Sequence, residues 1–131
     1  MKIEVSNGEI IDKLTILQIK SEKITDAAKL ENINRELYEL LTCRVLLLKE
    51  LTAEDLTKVE ELEIALKGVN TRLWDVEDEL RKMEANELYN GTFVSLARQV
   101  YILNDLRARH KKQINQITNS RLVEEKSYVA Y

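Results

Sequence analysis

The sequence of 131 residues contains no proline, three glycines, one cysteine and one histidine. Each scarcity removes a class of answer. Without proline, and with glycine only at positions 8, 68 and 91, the chain lacks the punctuation of a strand-and-turn protein. A lone Cys43 forms no internal disulfide, and with only His110 beside it no spacing suits a structural zinc. Neither a metal site nor a cofactor is expected. A third of the residues are charged, and no run approaches the about 20 predominantly apolar residues of a bilayer-crossing helix. A membrane role is therefore not expected. Met1-Lys2-Ile3-Glu4-Val5 lacks the uninterrupted apolar segment of a secretory signal, so the expected location is cytoplasmic.

Leu, Glu, Lys, Ile and Ala dominate instead, and most of these lose little side-chain freedom in a helix. The fold class that follows is all-α, as one helical domain over residues 1–131. Ser6-Asn7-Gly8-Glu9 has the form of a capping box and opens a helix over about 7–24. Asp26 starts a second, over about 26–50, whose apolar series runs Leu30, Ile33, Leu37, Leu40, Leu41, Val45, Leu48. Thr52 and the acidic turn Glu54-Asp55 suit the positive end of a third, over 53–85. The fourth spans about 92–117, and a tail over 121–131 is too short to fold alone.

The third helix holds the strongest pattern. Val59, Leu62, Leu66, Val69, Leu73, Val76, Leu80 and Met83 alternate spacings of three and four, the heptad seam of a coiled coil. At ~1.5 Å per residue this helix is roughly 50 Å long, so the expected architecture is an elongated four-helix bundle. The short link at Leu51-Thr52 makes helix 2 the expected antiparallel partner, in a long coiled-coil-like hairpin. A seam longer than its neighbours can cover also points to a homodimer through helices 2 and 3.

Helical-wheel positions at 100° per residue then show polar groups set against expectation. Arg107 falls near the middle of the apolar stripe Phe93, Leu96, Val100, Leu103, Ile114, Ile117, with Asn104 and His110 at its margins, the histidine expected to be partly buried and hydrogen-bonded rather than catalytic. A guanidinium there must snorkel out, pair with a carboxylate or bind an anionic ligand. Helix 1 is apolar nearly all round, which implies enclosure by neighbours, yet Asp12 projects beside Ile16 and Ile19. Asp12 is thus the first candidate partner for Arg107, with Glu9, Lys13 and Asn104 completing a candidate polar site. Trp74 lies off the heptad seam, grouped with Asn70, Glu77, Asp78 and Arg81. It should face helix 1, the tail or something outside the chain; the expected cover is the tail, whose Leu122, Val123, Tyr128 and Tyr131 are too apolar for a solvated terminus.

Ser6-Asn7-Gly8-Glu9-Ile10-Ile11-Asp12-Lys13-Leu14-Thr15-Ile16-Leu17, Leu73-Trp74-Asp75-Val76-Glu77-Asp78, Asn104-Asp105-Leu106-Arg107-Ala108-Arg109 and Glu124-Glu125-Lys126-Ser127-Tyr128 carry a resemblance. Together, in this order, they are similar to a family of small, mainly bacterial proteins catalogued as a domain of unknown function. The resemblance spans nearly the whole chain. It implies a shared polar site drawing on Glu9, Asp12, Lys13, Trp74, Asp78, Asn104, Arg107 and the tail, and an association with surface-glycan and nucleotide-sugar metabolism.

Known helical enzymes fit less well. The all-α nucleotide pyrophosphohydrolases hold Mg²⁺ with Glu-x-x-Glu followed by Glu-x-x-Asp, whereas the one Glu-x-x-Asp here, Glu9/Asp12, comes first. Lys13, Lys20 and Arg107 loosely resemble the cationic set of helical chorismate mutases, without the early helix-1 arginine. Residues 98–121 carry Arg98, Arg107, Arg109, Lys111, Lys112 and Arg121 against Asp105, while residues 75–87 carry six acids against Arg81 and Lys82. Mutual neutralisation of these two segments is expected, rather than nucleic-acid binding. The expected function is a binding or assembly module with a protein partner or a small anionic metabolite. The alternative is a small enzyme acting on such a phosphorylated or carboxylated metabolite.

Overall fold

The computed structural model describes residues 1–131 and contains four helices and no strand: α1 (Asn7–Lys23), α2 (Ala27–Leu48), α3 (Ala53–Ala85) and α4 (Gly91–Ile117). The protein is all-α and bundle-like. Each helix begins at a side chain that accepts an otherwise free backbone amide. Ser6 accepts from Glu9, Asp26 from Ala28 and Lys29, Thr52 from Asp55, and Asn90 from Phe93. Only half of the capping box forms, because the Glu9 carboxylate turns away to Lys111. No helix is long and apolar enough to cross a membrane.

α1 packs against all three other helices, which accounts for apolar residues on nearly every side of it. Ile11, Leu14, Leu17 and Ile19 are all buried, each contributing roughly 1.5–3 kcal/mol relative to exposure. Ile11, Leu66 and Ile114 meet at the centre, one from each of α1, α3 and α4, with Leu62 packed against them.

The expected α2/α3 hairpin is corrected here: the closest pairing of α3 is with α4, and α2 leans on α1. The α3 seam is spent inside this arrangement. Val59, Leu66, Val69, Leu73, Val76 and Met83 are all buried within the chain, and Leu62 and Leu80 are partly buried. α2 is tied to α3 mainly by Arg44, which donates from Nε and Nη2 to the Glu63 carboxylate at 2.7–3.0 Å.

α1 and α4 touch most closely at Gly8. A Cβ there would lie 2.5 Å from the Lys111 carbonyl oxygen and 3.0 Å from Asn115 Oδ1, so only glycine fits. The contact is also bonded, the Gly8 amide donating to Asn115 Oδ1 at 2.6 Å.

Candidate functional site

Residues 8, 11, 12, 15 and 19 share one face of α1 by their three- and four-residue spacing, and that face meets α3 and α4. Asp12 lies on it with no solvent exposure at all. Its carboxylate is fully engaged. Arg107 donates from Nε to Oδ1 at 2.8 Å and from Nη2 to Oδ2 at 2.6 Å, a bidentate pair. Asn70 Nδ2 donates to the same Oδ1 at 2.9 Å, and also to Thr15 Oγ1 at 2.9 Å. The hydrogen bond to Asp12 raises the Arg107 pKa above its ordinary value against the opposing effect of burial.

Asn70 and Arg107, anchored on the buried Asp12, form the floor of a cleft of about 390 Å³ between α1, α3 and α4. Ile16, Ile19, Leu73 and Trp74 give it an apolar wall, and Glu77, Asp78 and Arg81 its rim. Two polar atoms on the floor have capacity to spare. Asn70 is 6% exposed with both amide hydrogens spent, yet its Oδ1 has no partner in the chain. Arg107 Nη1 makes one contact only, at 3.5 Å to Asn104 Oδ1. Both planar groups hang on one Asp12 oxygen, which fixes an acceptor and a donor in the lining of the same cleft.

A second network lies behind the floor. Lys111, 8% exposed, donates to Glu9 at 2.6 Å and to Glu124 of the tail at 3.0 Å. Burial alone would lower its ammonium pKa; the bonds to Glu9 and Glu124 outweigh it, and the value is raised. The first turn of α1 has no amide to offer an anion, since Asn7 donates to Ser120 Oγ, Gly8 to Asn115 and Glu9 to Ser6. No three His, Cys, Asp or Glu side chains come together as metal ligands.

The residues singled out in the sequence fall into three places. Asp12, Asn104, Arg107, Trp74, Glu77, Asp78 and Arg81 converge on the one cleft. Lys13 does not. One residue along a helix is 100° round, and this carries it to the α2 side, where it pairs with Glu36 at 2.7 Å. Glu9 belongs to the Lys111 network, and Tyr128 is 76% exposed on the far side of α4.

Three further expectations are corrected. The tail docks not over Trp74 but on α4 and the N-terminal segment, through Arg121 to Glu4, Glu124 to Lys111, and Tyr131 to Asp105 at 2.7 Å. Trp74 is left facing the cleft. The basic stretch of α4 does not neutralise the acidic end of α3, because antiparallel packing lays residues 75–87 beside the almost uncharged start of α4. Its inward cations, Arg107 and Lys111, pair with α1 instead. His110 Nδ1 is buried with no hydrogen-bond partner, where a bonded histidine was expected.

Thr15, Lys111 and Asn115 escaped the sequence reading, and Asn70 was placed only on the Trp74 face. Asn70 carried a signal, being a weak helix former well inside a helix. Lys111 carried none, since it sat in a run of surface-like cations.

Fold and site together define an all-α protein with an open cleft built over a buried ion pair. The chain belongs to DUF6165, a family of unknown function, which it matches over residues 1–131. No curated protein and no solved structure matches it.

Proposed function

We propose that the chain is a cytoplasmic binding module whose cleft takes a small, neutral, polar ligand with one flat apolar face. The observation that carries this reading is the unpartnered Asn70 Oδ1 and the spare Arg107 Nη1 in one cleft with the half-buried ring of Trp74. A concave apolar wall with a few fixed polar groups is the usual form of a small-molecule site. In this arrangement Asp12 serves as the anchor that fixes donor and acceptor, and Trp74 offers a stacking surface.

The charge balance argues for neutrality. Three carboxylates, Asp12, Glu77 and Asp78, stand against two guanidinium groups, and both of those are paired: Arg107 with Asp12, and Arg81 more loosely with Glu77 at 3.4 Å. A phosphorylated or carboxylated metabolite would need a free cation. A ligand rich in hydroxyl groups suits the set better, since each hydroxyl both donates and accepts. The sugar units of surface-glycan metabolism, implied by the resemblance of the four sequence blocks, meet that description.

The test is a titration followed by Trp74 emission and by thermal shift, with neutral monosaccharides, nucleotide sugars and inorganic phosphate as probes. A neutral sugar should move the emission and raise the melting temperature; at about 100 times the Kd, native-state binding adds about 2.7 kcal/mol. Asn70→Asp should abolish the response. Stabilisation by phosphate with silence towards every neutral sugar would sink the reading.

A further inference from the structure

From Gly91 to Asn104, α4 carries a single charge, Arg98, and apolar residues occur on all sides of it. A helix of that kind is ordinarily enclosed. Here it is enclosed only in part: α1 reaches Asn104 at the cleft but ends well short of the start of α4. With 17 residues against the 33 of α3, α1 spans about 26 Å against about 50 Å, and its last residue, Lys23, pairs with Asp75. α3 covers the inner side of this segment. On the outer side Val94, Tyr101 and Ile102 remain 55%, 46% and 40% exposed.

These three residues, with Arg98, Asp105 and Arg109, follow at i, i+4, i+7, i+8, i+11 and i+15, which is one face of the helix. The face has an internal symmetry. Arg98 stands three residues before Tyr101, and Asp105 three residues after Ile102. A two-fold axis between Tyr101 and Ile102 lays two such helices antiparallel and sets Arg98 against Asp105 of the partner subunit. The same pairing then recurs at the other end, with the aromatic and aliphatic side chains between. A face that meets itself under a two-fold rotation is what an isologous dimer requires, and an unrelated partner would impose no such symmetry.

The tail prepares this face. Tyr131 donates to Asp105 Oδ2 at 2.7 Å and packs edge-on against Tyr101 at 5.4 Å between ring centroids. Two of the face's residues are thereby ordered, while Asp105 Oδ1 stays unpartnered within the chain.

We infer that the outer face of α4, centred on Tyr101 and Ile102, is a self-complementary interface whose occupant is a second copy of this chain, held in register by two reciprocal Arg98/Asp105 ion pairs. This interface is separate from the α3 seam, most of which is buried within the chain, and it does not rest on the reading of the cleft.

Sedimentation velocity and light scattering on the full chain, at tens of micromolar, test it. The unaltered chain should show the mass of a dimer. Arg98→Glu should halve that mass while leaving the far-ultraviolet circular dichroism unchanged, since Arg98 is an exposed side chain. Asp105→Arg should do the same. An equimolar mixture of the two variants should regain the dimer mass, because each then supplies the sign the other lacks at both ends. A monomeric unaltered chain would overturn the inference, as would a dimer whose mass ignores Arg98→Glu. Failure of the folded variants to associate on mixing would overturn the proposed register.

Discussion

Replacing Arg107 by methionine should cost far more than its position near a surface cleft suggests. The Arg107 side chain is 27% exposed and Asp12 is not exposed at all, so the two halves of the pair have unequal alternatives. Arg107→Met leaves a carboxylate sealed inside the protein with one amide, from Asn70, to support it. Stranding a buried charge costs about 3–5 kcal/mol. Asp12→Asn should cost less, about 1.5–3 kcal/mol, the worth of a charged hydrogen bond, since the freed guanidinium can turn towards water in the cleft. The double variant strands nothing. Its cost should fall short of the sum of the two by about 1–3 kcal/mol, the range of coupling found for residues in contact. Urea unfolding of the four proteins gives the cycle directly. At about 3–5 °C per kcal/mol for a chain of this size, Arg107→Met should melt roughly 10–20 °C lower. Small, additive losses would mean that the pair holds nothing together.

Gly8→Ala should destabilise the protein although alanine is the better helix former by about 1 kcal/mol. Its Cβ would sit 2.5 Å from the Lys111 carbonyl oxygen, and separating α1 from α4 to relieve that also weakens the Gly8 to Asn115 bond; thermal melting decides the sign. The raised pKa of Lys111 makes a linkage prediction. Its contribution is complete below the unfolded value near 10.5 and is lost as pH rises from there through the higher folded value, so stability should decline within that window, and Lys111→Met should flatten the decline. Removing residues 123–131 deletes the Glu124 and Tyr131 contacts, and should lower the melting temperature while leaving Trp74 emission unchanged, because the tail does not cover that ring. A shifted emission maximum would contradict this.

How far the sequence could be read depends on what each pattern encodes. The helix ends were legible because Ser6, Asp26 and Thr52 act on amides two or three residues away, and such local bonds leave local signatures. The heptad seam reported that one face of α3 is buried and said nothing of which helix buries it. The short link favoured α2, yet α4 took the place, and α1, apolar on nearly all sides, became the centre on which α2 also rests. The Asp12/Arg107 pair was legible for a different reason: two opposite charges on apolar faces both demand partners, and each is the other's cheapest solution. Neutral amides make no comparable demand. An asparagine inside a helix can turn to solvent, bond its own backbone as Asn104 does with the Val100 carbonyl, or bridge two helices as Asn70 does. Only the three-helix junction chooses among these. The ion pair that fixes the cleft floor was therefore readable from the wheels, whereas the spare acceptor on that floor arises only where α1, α3 and α4 meet.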